Sequence, residues 1–187
     1  MMKVFIKNMV CNRCVSAVSK IFENENIKIK SIHLGEVETD AEIPEDSLIK
    51  IEKNLLDTGF ARIKDSTHQL TEKIKNLIVL KVGSLDIEEN FTLSEFLTSN
   101  INKEYSSLSK TFSQNENVTL EQFFILQKIE KTKELLLYNE FTLTEIAGKL
   151  GYKSVQHLSS QFRTTTGFTP TEFKKLKVNG RKPLDLV

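Results

Sequence analysis

Cysteine, histidine and long apolar runs are scarce in this sequence of 187 residues, and each scarcity excludes a class of protein. The three histidines do not cluster, and there is no glycine-rich phosphate loop or carboxylate pair beside a nucleophile, so we do not expect an enzyme. No apolar run reaches the roughly 20 residues that a membrane helix requires. The opening MMKVFIKNMV lacks the pattern of a secretory signal. We therefore expect a cytoplasmic protein with no membrane partner.

Positive and negative charges are almost balanced, with a formal net charge of +1. Such a chain has no overall field that would attract nucleic acid, so any basic surface must be local. The segment from Lys153 to Lys182 is locally basic, with seven Lys or Arg and one Glu. The segment from Leu85 to Phe96 has four acidic residues and no basic one. A nucleic-acid partner would therefore meet the C-terminal part of the chain.

Residues 1–65 alternate between strand-like and helix-like patterns. Met2–Asn8, Ile27–Leu34 and the stretch after Gly35 alternate polar and apolar residues, as half-buried strands do. Apolar residues at helical spacing follow Cys14 and again follow Pro44, and FARIKD is typical of a last strand. The order strand, helix, strand, strand, helix, strand predicts an α+β ferredoxin-like βαββαβ domain.

Residues 66–187 show helical spacing throughout, which predicts an all-α domain. The boundary is expected in the short polar stretch around Lys64–Gln69, which contains no Pro or Gly and so predicts a tight joint. A first helix is expected in HQLTEKIKNLIVLKV. The further predicted helices lie near 92–99, 103–113, 119–138, 142–149, 154–166 and 170–177.

Two hexapeptides in this helical half nearly repeat each other, FTLSEF at 91–96 and FTLTEI at 141–146. In each, a threonine is followed three residues later by a glutamate, which is the pattern of a capping box. Two short helices joined by a tight turn would make each copy a helix-turn-helix unit. The turns are expected at Asn100 and Ile101 and at Gly151 and Tyr152, and the matched core residues are Leu108 and Phe112 in the first copy, Leu158 and Phe162 in the second.

The segment Ile129–Lys175, with EIAGKLGY and SSQFRTTTGFTPTEFKK, resembles the DNA-binding domain of AraC-type transcription regulators. The resemblance extends more weakly over about 70–177. It implies seven helices that hold two helix-turn-helix units on one connecting helix, expected at Thr119–Asn139. The second helix of each unit would enter the major groove, in two consecutive turns of one DNA face. Double-stranded DNA and RNA polymerase are the partners that this resemblance implies.

Alignment with the recognition helix of that family suggests which residues would touch DNA. Base contacts would come from Gln156, His157 and Ser160, because glutamine can pair with adenine while histidine and serine are more permissive. The alternative for each position is a solvated helix face, and Glu104 would repel phosphate near the first unit, which we expect to read DNA weakly. Phosphate contacts would come from Arg163, Lys153 and Lys174, and the matching positions of the first unit are Ser106, Ser109 and Lys110.

Cys11 and Cys14 are the only cysteines, and their C-x-x-C spacing in a reducing compartment indicates metal binding or redox chemistry. MVCNRC and LLDTGF resemble the heavy-metal-associated domain over about 2–65. Asn8 departs from that family, which has glycine there, and Arg13 lies between the thiols. The resemblance implies that Cys11 and Cys14 bind Cu(I) or another soft metal, because zinc would need further ligands. The alternatives are a redox response and a site lost in a domain that binds another ligand or protein.

Taken together, these patterns predict a transcription regulator with an N-terminal domain, residues 1–65, that senses a soft metal, thiol redox state or another small-molecule effector. Its reader domain would be residues 66–187. The alternative is a metal or thiol carrier whose helical half binds a protein partner. Salt-dependent binding to duplex DNA would distinguish the two.

Overall fold

The computed structural model describes residues 1–176, and the chain divides by packing into two compact units, Met1–Asn76 and Leu77–Val187. Strands and helices follow one another in the predicted order. The first unit contains β1 (Met2–Lys7), α1 (Asn12–Asn24), β2 (Ile29–His33), β3 (Glu36–Thr39), α2 (Glu45–Asp57) and β4 (Ala61–Ile63). After α3 (Ser66–Gly83) come α4 (Leu93–Ile101), α5 (Tyr105–Glu116), α6 (Leu120–Tyr138), α7 (Leu143–Lys149), α8 (Val155–Thr166) and α9 (Pro170–Lys175).

A four-stranded antiparallel sheet of order β2-β3-β1-β4 forms the frame of the first unit. Strand β1 lies inside it and pairs with β3 so that Val4 faces Val37. Because side chains alternate along a strand, Val4 and Ile6 share one face, and both are buried. They pack in one core with Phe22 of α1 and Leu55 of α2. The first unit therefore has a hydrophobic core of its own.

Helix α3 begins within the first unit, so the division between the units lies eleven residues beyond the predicted boundary at 65/66. Asp65 accepts hydrogen bonds from the backbone N–H groups of Thr67 at 2.9 Å and His68 at 3.0 Å, which fixes the first helical turn. Glu72 then accepts a hydrogen bond from the backbone N–H of Asn8 at 2.9 Å. The polar stretch 64–69 therefore contains the start of a helix, and this helix is hydrogen-bonded to the residue that follows β1.

The second unit consists of helices over its described residues, and each helix predicted from the sequence forms with its ends shifted by a few residues. The last residue of the predicted helix 170–177 lies outside the described residues. Helix α6 is the central element, because it contacts α5, α7, α8 and α9. The rings of Phe112 on α5 and Phe123 on α6 lie 5.3 Å apart, centroid to centroid. No helix within residues 1–176 is long and apolar enough to cross a membrane.

Helices α4 and α5 form the first helix pair, and α7 and α8 form the later pair. In both pairs the predicted core residues are fully buried, with an exposed fraction of 0% at Leu108, Phe112, Leu158 and Phe162. The rings of Phe162 and Phe173 meet edge to face at 5.5 Å, which joins the later pair to α9. The repeated sequence pattern therefore corresponds to a matched leucine and phenylalanine that are buried in both helix pairs.

The turns of the two pairs differ from the prediction in one place. Asn100 and Ile101 were expected in the first turn, but both belong to α4. The left-handed residue that ends this helix is Asn102, with φ of 57°. Asparagine tolerates that conformation better than most other side chains, so Asn102 can end the helix. In the later pair Gly151 takes the left-handed conformation, with φ of 66°.

The two predicted capping boxes also differ. At α7 the box is complete, because Thr142 Oγ1 accepts from the Glu145 N–H at 3.3 Å and the Glu145 carboxylate accepts from the Thr142 N–H at 2.7 Å. At α4 the box is absent, because the Thr92 hydroxyl donates to the Glu95 carboxylate at 2.5 Å and caps no backbone N–H. The side-chain pair, which also forms between Thr142 and Glu145, is therefore present at α4 without the two backbone bonds.

The loop between α3 and α4 packs onto the turn of the later pair. Ile87 forms a parallel β-bridge with Leu150, and its N–H donates to the Lys149 carbonyl at 3.1 Å. A side chain at Gly151 would lie 2.6 Å from Cγ2 of Ile87 and 3.0 Å from the carbonyl oxygen of Glu88. We call this loop, residues 84–92, the strap. Gly151 is required here both by its backbone conformation and by the closeness of the strap.

Candidate nucleic-acid interface and cysteine pair

Helix α8 presents an exposed polar face opposite the buried Leu158 and Phe162. Its start is fixed by Ser154, whose hydroxyl accepts a hydrogen bond from the backbone N–H of His157 at 3.1 Å. Helical spacing places the predicted contact residues of α8 on one side, and each is exposed. These residues are Gln156, His157, Ser160 and Arg163.

Arg163 and Ser160 also line an open groove on this helix. Its other lining residues carry hydroxyl groups, so the groove offers one guanidinium and several neutral hydrogen-bonding groups. Such a set can bind an anion, since a guanidinium matches the geometry of phosphate oxygens. The remaining lining residues are Ser159, Thr164 and Thr169.

The two predicted phosphate-binding lysines are both exposed. Lys153 lies in the turn before α8. Lys174 lies on α9, and its ammonium donates a hydrogen bond to the side-chain oxygen of Asn139 at the end of α6. An ammonium has three donors, so Lys174 keeps two for another acceptor. Within residues 1–176, neither lysine forms an ion pair with a carboxylate that would neutralise its charge.

The first pair offers a weaker set of groups. Ser106 and Lys110 of α5 are exposed, whereas Ser109 is only half-buried and presents less of its surface. Glu104 immediately precedes α5, is exposed, and makes no side-chain cap to the helix. The start of α5 therefore carries a carboxylate where Ser154 stands in the later pair, as the sequence indicated.

A buried lysine that the sequence analysis did not identify lies behind the turn of the later pair. Lys128 of α6 is 8% exposed, and its Nζ donates to the carbonyl oxygen of Leu150 at 3.1 Å. The same ammonium lies 3.7 Å from the ring centroid of Tyr152 and 5.1 Å from that of Phe124. Burial lowers the pKa of Lys128 to about 8. The available signal was a lysine four residues after Phe124, on the side of α6 that packs inward.

The two cysteines of the first unit lie at the start of α1. Cys11 is the N-cap residue, and its Sγ lies 3.4 Å from the Sγ of Cys14. Both side chains are half-buried, and both residues are free thiols. Asn8 precedes them with φ of 72°, and its side-chain amide donates to the Gly59 carbonyl at 3.0 Å. Asparagine thus adopts a left-handed conformation at the position where the resembling family has glycine.

The two thiols have opposite pKa shifts. Partial burial acts to raise the pKa of Cys11, but hydrogen bonds from the backbone and thiol of Cys14, with the nearby Arg13, lower it overall. Burial raises the pKa of Cys14, and a thiolate at Cys11 raises it further. Cys11 is therefore the thiol that ionises first. Within residues 1–176, no group of three or more His, Cys, Asp or Glu side chains is placed to hold a metal.

Comparison with known proteins finds similarity in the helical unit. A family profile described as a helix-turn-helix domain matches residues 97–176. The xylose operon regulatory proteins of Haemophilus influenzae and of Escherichia coli K12 are 33% and 30% identical to this chain over 69 residues. Each match covers 37% of this chain and 18% of the relative's length. These relatives are named as regulatory proteins and not as enzymes, in agreement with the prediction from sequence.

Solved structures also match part of the chain. The DNA-binding domain of AdpA in complex with a target DNA is 19% identical, with a TM-score of 0.48, and the match covers 55% of this chain and 90% of that one. The C-terminal domain of the response regulator yesN from Fusobacterium nucleatum is 26% identical, with a TM-score of 0.47 and coverage of 55% and 98%. Residues 97–176 are therefore similar to a helix-turn-helix domain.

Proposed function

We propose that this chain is a sequence-specific DNA-binding transcription regulator that reads two consecutive major-groove turns with α8 and α5. The observation that carries the proposal is the exposed polar face of α8, held on a buried Leu158 and Phe162 within a helix-turn-helix domain. A recognition helix needs this arrangement, because its inner side must fix the helix while its outer side meets base edges.

The later pair, α7 and α8, supplies the stronger reader. Gln156 can donate and accept toward the N6 and N7 positions of adenine, while His157 and Ser160 have more permissive hydrogen-bonding groups. Arg163, with its hydroxyl-lined groove, supports a phosphate contact beside them. Lys153 and Lys174 add positive charge at the ends of the same pair.

The first pair, α4 and α5, is proposed as a second helix-turn-helix unit that binds DNA more weakly. Ser106 and Lys110 supply its exposed groups, with Ser109 partly withdrawn. Glu104 would lie near phosphate and repel it, so this unit would contribute through DNA shape and backbone contacts more than through base reading. RNA polymerase is the proposed partner of the bound regulator.

Selection from a randomised 30-bp duplex library tests this function directly. The full chain should enrich a motif with two segments about 10 bp apart. Gln156→Ala should cost about 1–3 kcal/mol at one base position and relax the preference there. Thr165→Ala is the matched control, because Thr165 is exposed on α8 and its hydroxyl donates to the Gln161 carbonyl of its own helix. Equal weakening on every duplex would contradict base reading by Gln156.

The salt dependence of binding separates phosphate contacts from base contacts. Lys174→Ala should weaken binding to all duplexes alike and reduce the salt slope by about one unit. An unchanged slope would remove Lys174 from the interface. Salt-independent binding by the native chain would favour the alternative of a carrier that binds a protein partner.

The first unit is proposed as a ferredoxin-like sensor domain, supported by the sheet order β2-β3-β1-β4 with two helices. Cys11 and Cys14 fit a two-coordinate soft cation such as Cu(I), because two thiols lie 3.4 Å apart and one has a lowered pKa. The same pair does not fit zinc, which needs four ligands where two are available. Bound Cu(I) would supply a positive charge that holds both thiolates together.

Titration of the full chain with Cu(I) against a competing chelator tests the sensor. We expect one equivalent to bind, with loss of binding in Cys11→Ser and a change in DNA affinity of about 1–3 kcal/mol, the usual size of coupling between sites. Ser16→Ala is the control, because its hydroxyl lies on the same helix and bonds to the Asn12 carbonyl. If no metal is retained but oxidation of the pair changes DNA affinity, the effector is thiol redox state.

A further inference from the structure

The ammonium of Lys128 occupies a site built from the turn between α7 and α8. Moving an ammonium out of water is unfavourable unless the protein replaces its hydration. Here the replacement consists of the Leu150 carbonyl at 3.1 Å and the aromatic faces of Tyr152 and Phe124. Desolvated contacts between a cation and a ring are the stronger kind. The buried cation therefore fixes the turn on which α8 begins.

Tyr152 connects that cation to the exposed face of α8. Its ring meets the ring of His157 edge to face, with centroids 5.3 Å apart and planes at 86°. Its hydroxyl donates to the side-chain oxygen of Gln161 at 2.7 Å. One buried ring thus touches the ammonium of Lys128 and two side chains of α8. A shift of the ring would move both His157 and Gln161.

We propose that Lys128 is a positioning residue for DNA recognition, whose ammonium holds the Leu150 carbonyl and the Tyr152 ring and so sets the orientation of His157 on α8. The inference rests on the proposed function, in which α8 reads bases. Lys128 does not meet DNA itself, because it is buried in the protein without DNA. Lys128 therefore affects which DNA sequence is preferred, whereas the exposed lysines are proposed to contact phosphate.

The charge of Lys128 also makes this positioning of His157 sensitive to pH. Its pKa of about 8, lowered by burial, means that the amine loses its proton while ordinary lysines remain charged. Among the described titratable groups, Tyr152, whose pKa burial raises, lies against the ammonium, and His157 on α8 lies against the Tyr152 ring. If only the charged form is competent, specific affinity should fall by up to about tenfold from pH 7 to pH 9.

The test uses the full chain with two probes, the duplex enriched from the randomised library and a scrambled duplex of equal length. Wild-type protein should lose affinity for the enriched duplex between pH 7 and pH 9 and lose little for the scrambled one. Lys128→Met should bind the enriched duplex at pH 7 about as weakly as the wild type does at pH 9. Lys131→Met, on the same helix, is the control and should retain the wild-type profile. Lys128→Arg should retain affinity and lose the pH dependence, because arginine stays charged.

A structural readout keeps the inference testable without DNA. The ring resonance of His157 should show an inflection near pH 8 in the wild type, and Lys128→Met should lack that inflection. The inference is overturned if folded Lys128→Met keeps the wild-type preference between the two duplexes, or if the His157 resonance is the same in both proteins. If the library yields no enriched duplex, the proposed function fails, while the His157 resonance still decides whether Lys128 positions that ring.

Discussion

Replacement of Gly151 by alanine should destabilise the helical unit more than replacement of Gly148 or Gly167. At φ of 66° a residue with a side chain costs about 1–2 kcal/mol. The added methyl would also lie 2.6 Å from Cγ2 of Ile87, closer than atoms pack, with two strap carbonyls at 3.0 and 3.1 Å. Forcing an extra methyl into a packed site costs about 1–3 kcal/mol more. The expected loss is therefore about 2–5 kcal/mol.

Two other glycines separate these contributions. Gly167 has φ of 83° but open space where a side chain would lie, so Gly167→Ala should cost only the conformational part, about 1–2 kcal/mol. Gly148 lies inside α7 in an ordinary conformation with open space, so Gly148→Ala should stabilise by about 0.5–1 kcal/mol. Gly148→Ala should therefore raise the free energy of unfolding, whereas Gly167→Ala and Gly151→Ala should lower it.

Urea unfolding of the full chain, followed by far-ultraviolet circular dichroism, measures the three free energies. The order of stability should be Gly148→Ala, wild type, Gly167→Ala and then Gly151→Ala. If Gly151→Ala costs no more than Gly167→Ala, the strap yields without cost and the close approach at Ile87 does not matter. In that case only the backbone conformation would explain the glycine.

Three further outcomes are expected. Thr142→Ala should cost about 1 kcal/mol in urea unfolding and Thr92→Ala less, because only Thr142 caps a backbone N–H; equal losses would contradict this difference. Alkylation rates against pH should show Cys11 reacting as a thiolate below the free-cysteine pKa of about 8.5 and Cys14 above it, and the reverse order would refute the assignment. Phe162→Ala should lose about 3–5 kcal/mol of stability, and a fully stable variant that has lost only DNA binding would place Phe162 on the outer face instead.

Local sequence patterns predicted the helices and the repeated core because their causes are local. Leu158 and Phe162 are four residues apart, so the spacing itself shows that they share one side of a helix. Contacts between distant segments leave no such pattern. Glu72 binds the backbone of Asn8, 64 residues earlier, and nothing in either segment indicates the pairing. The helix start at 66 was visible, but its attachment to the sheet was not.

The candidate site likewise contains residues that the sequence predicted and residues that it could not predict. The exposed residues of α8 could be named because they lie opposite a recognisable apolar pair. Lys128 could not, because a lysine near an apolar stripe ordinarily extends its charge to solvent. Its partners, the Leu150 carbonyl and the Tyr152 ring, come from a turn more than twenty residues away and become visible only when the chain is folded. Asn102 was missed for a different reason, since helix ends depend on small differences in backbone preference.

The strap has a practical consequence for dividing this protein into fragments. Ile87 precedes α4, yet its backbone supplies a bond to the Lys149 carbonyl and its side chain covers Gly151. A fragment that begins at Leu97, where the family match begins, would contain all of α5 through α9 but would expose that carbonyl and that glycine to water. The smallest autonomous helical fragment should therefore begin ahead of Ile87, although the residues that match the family profile begin later.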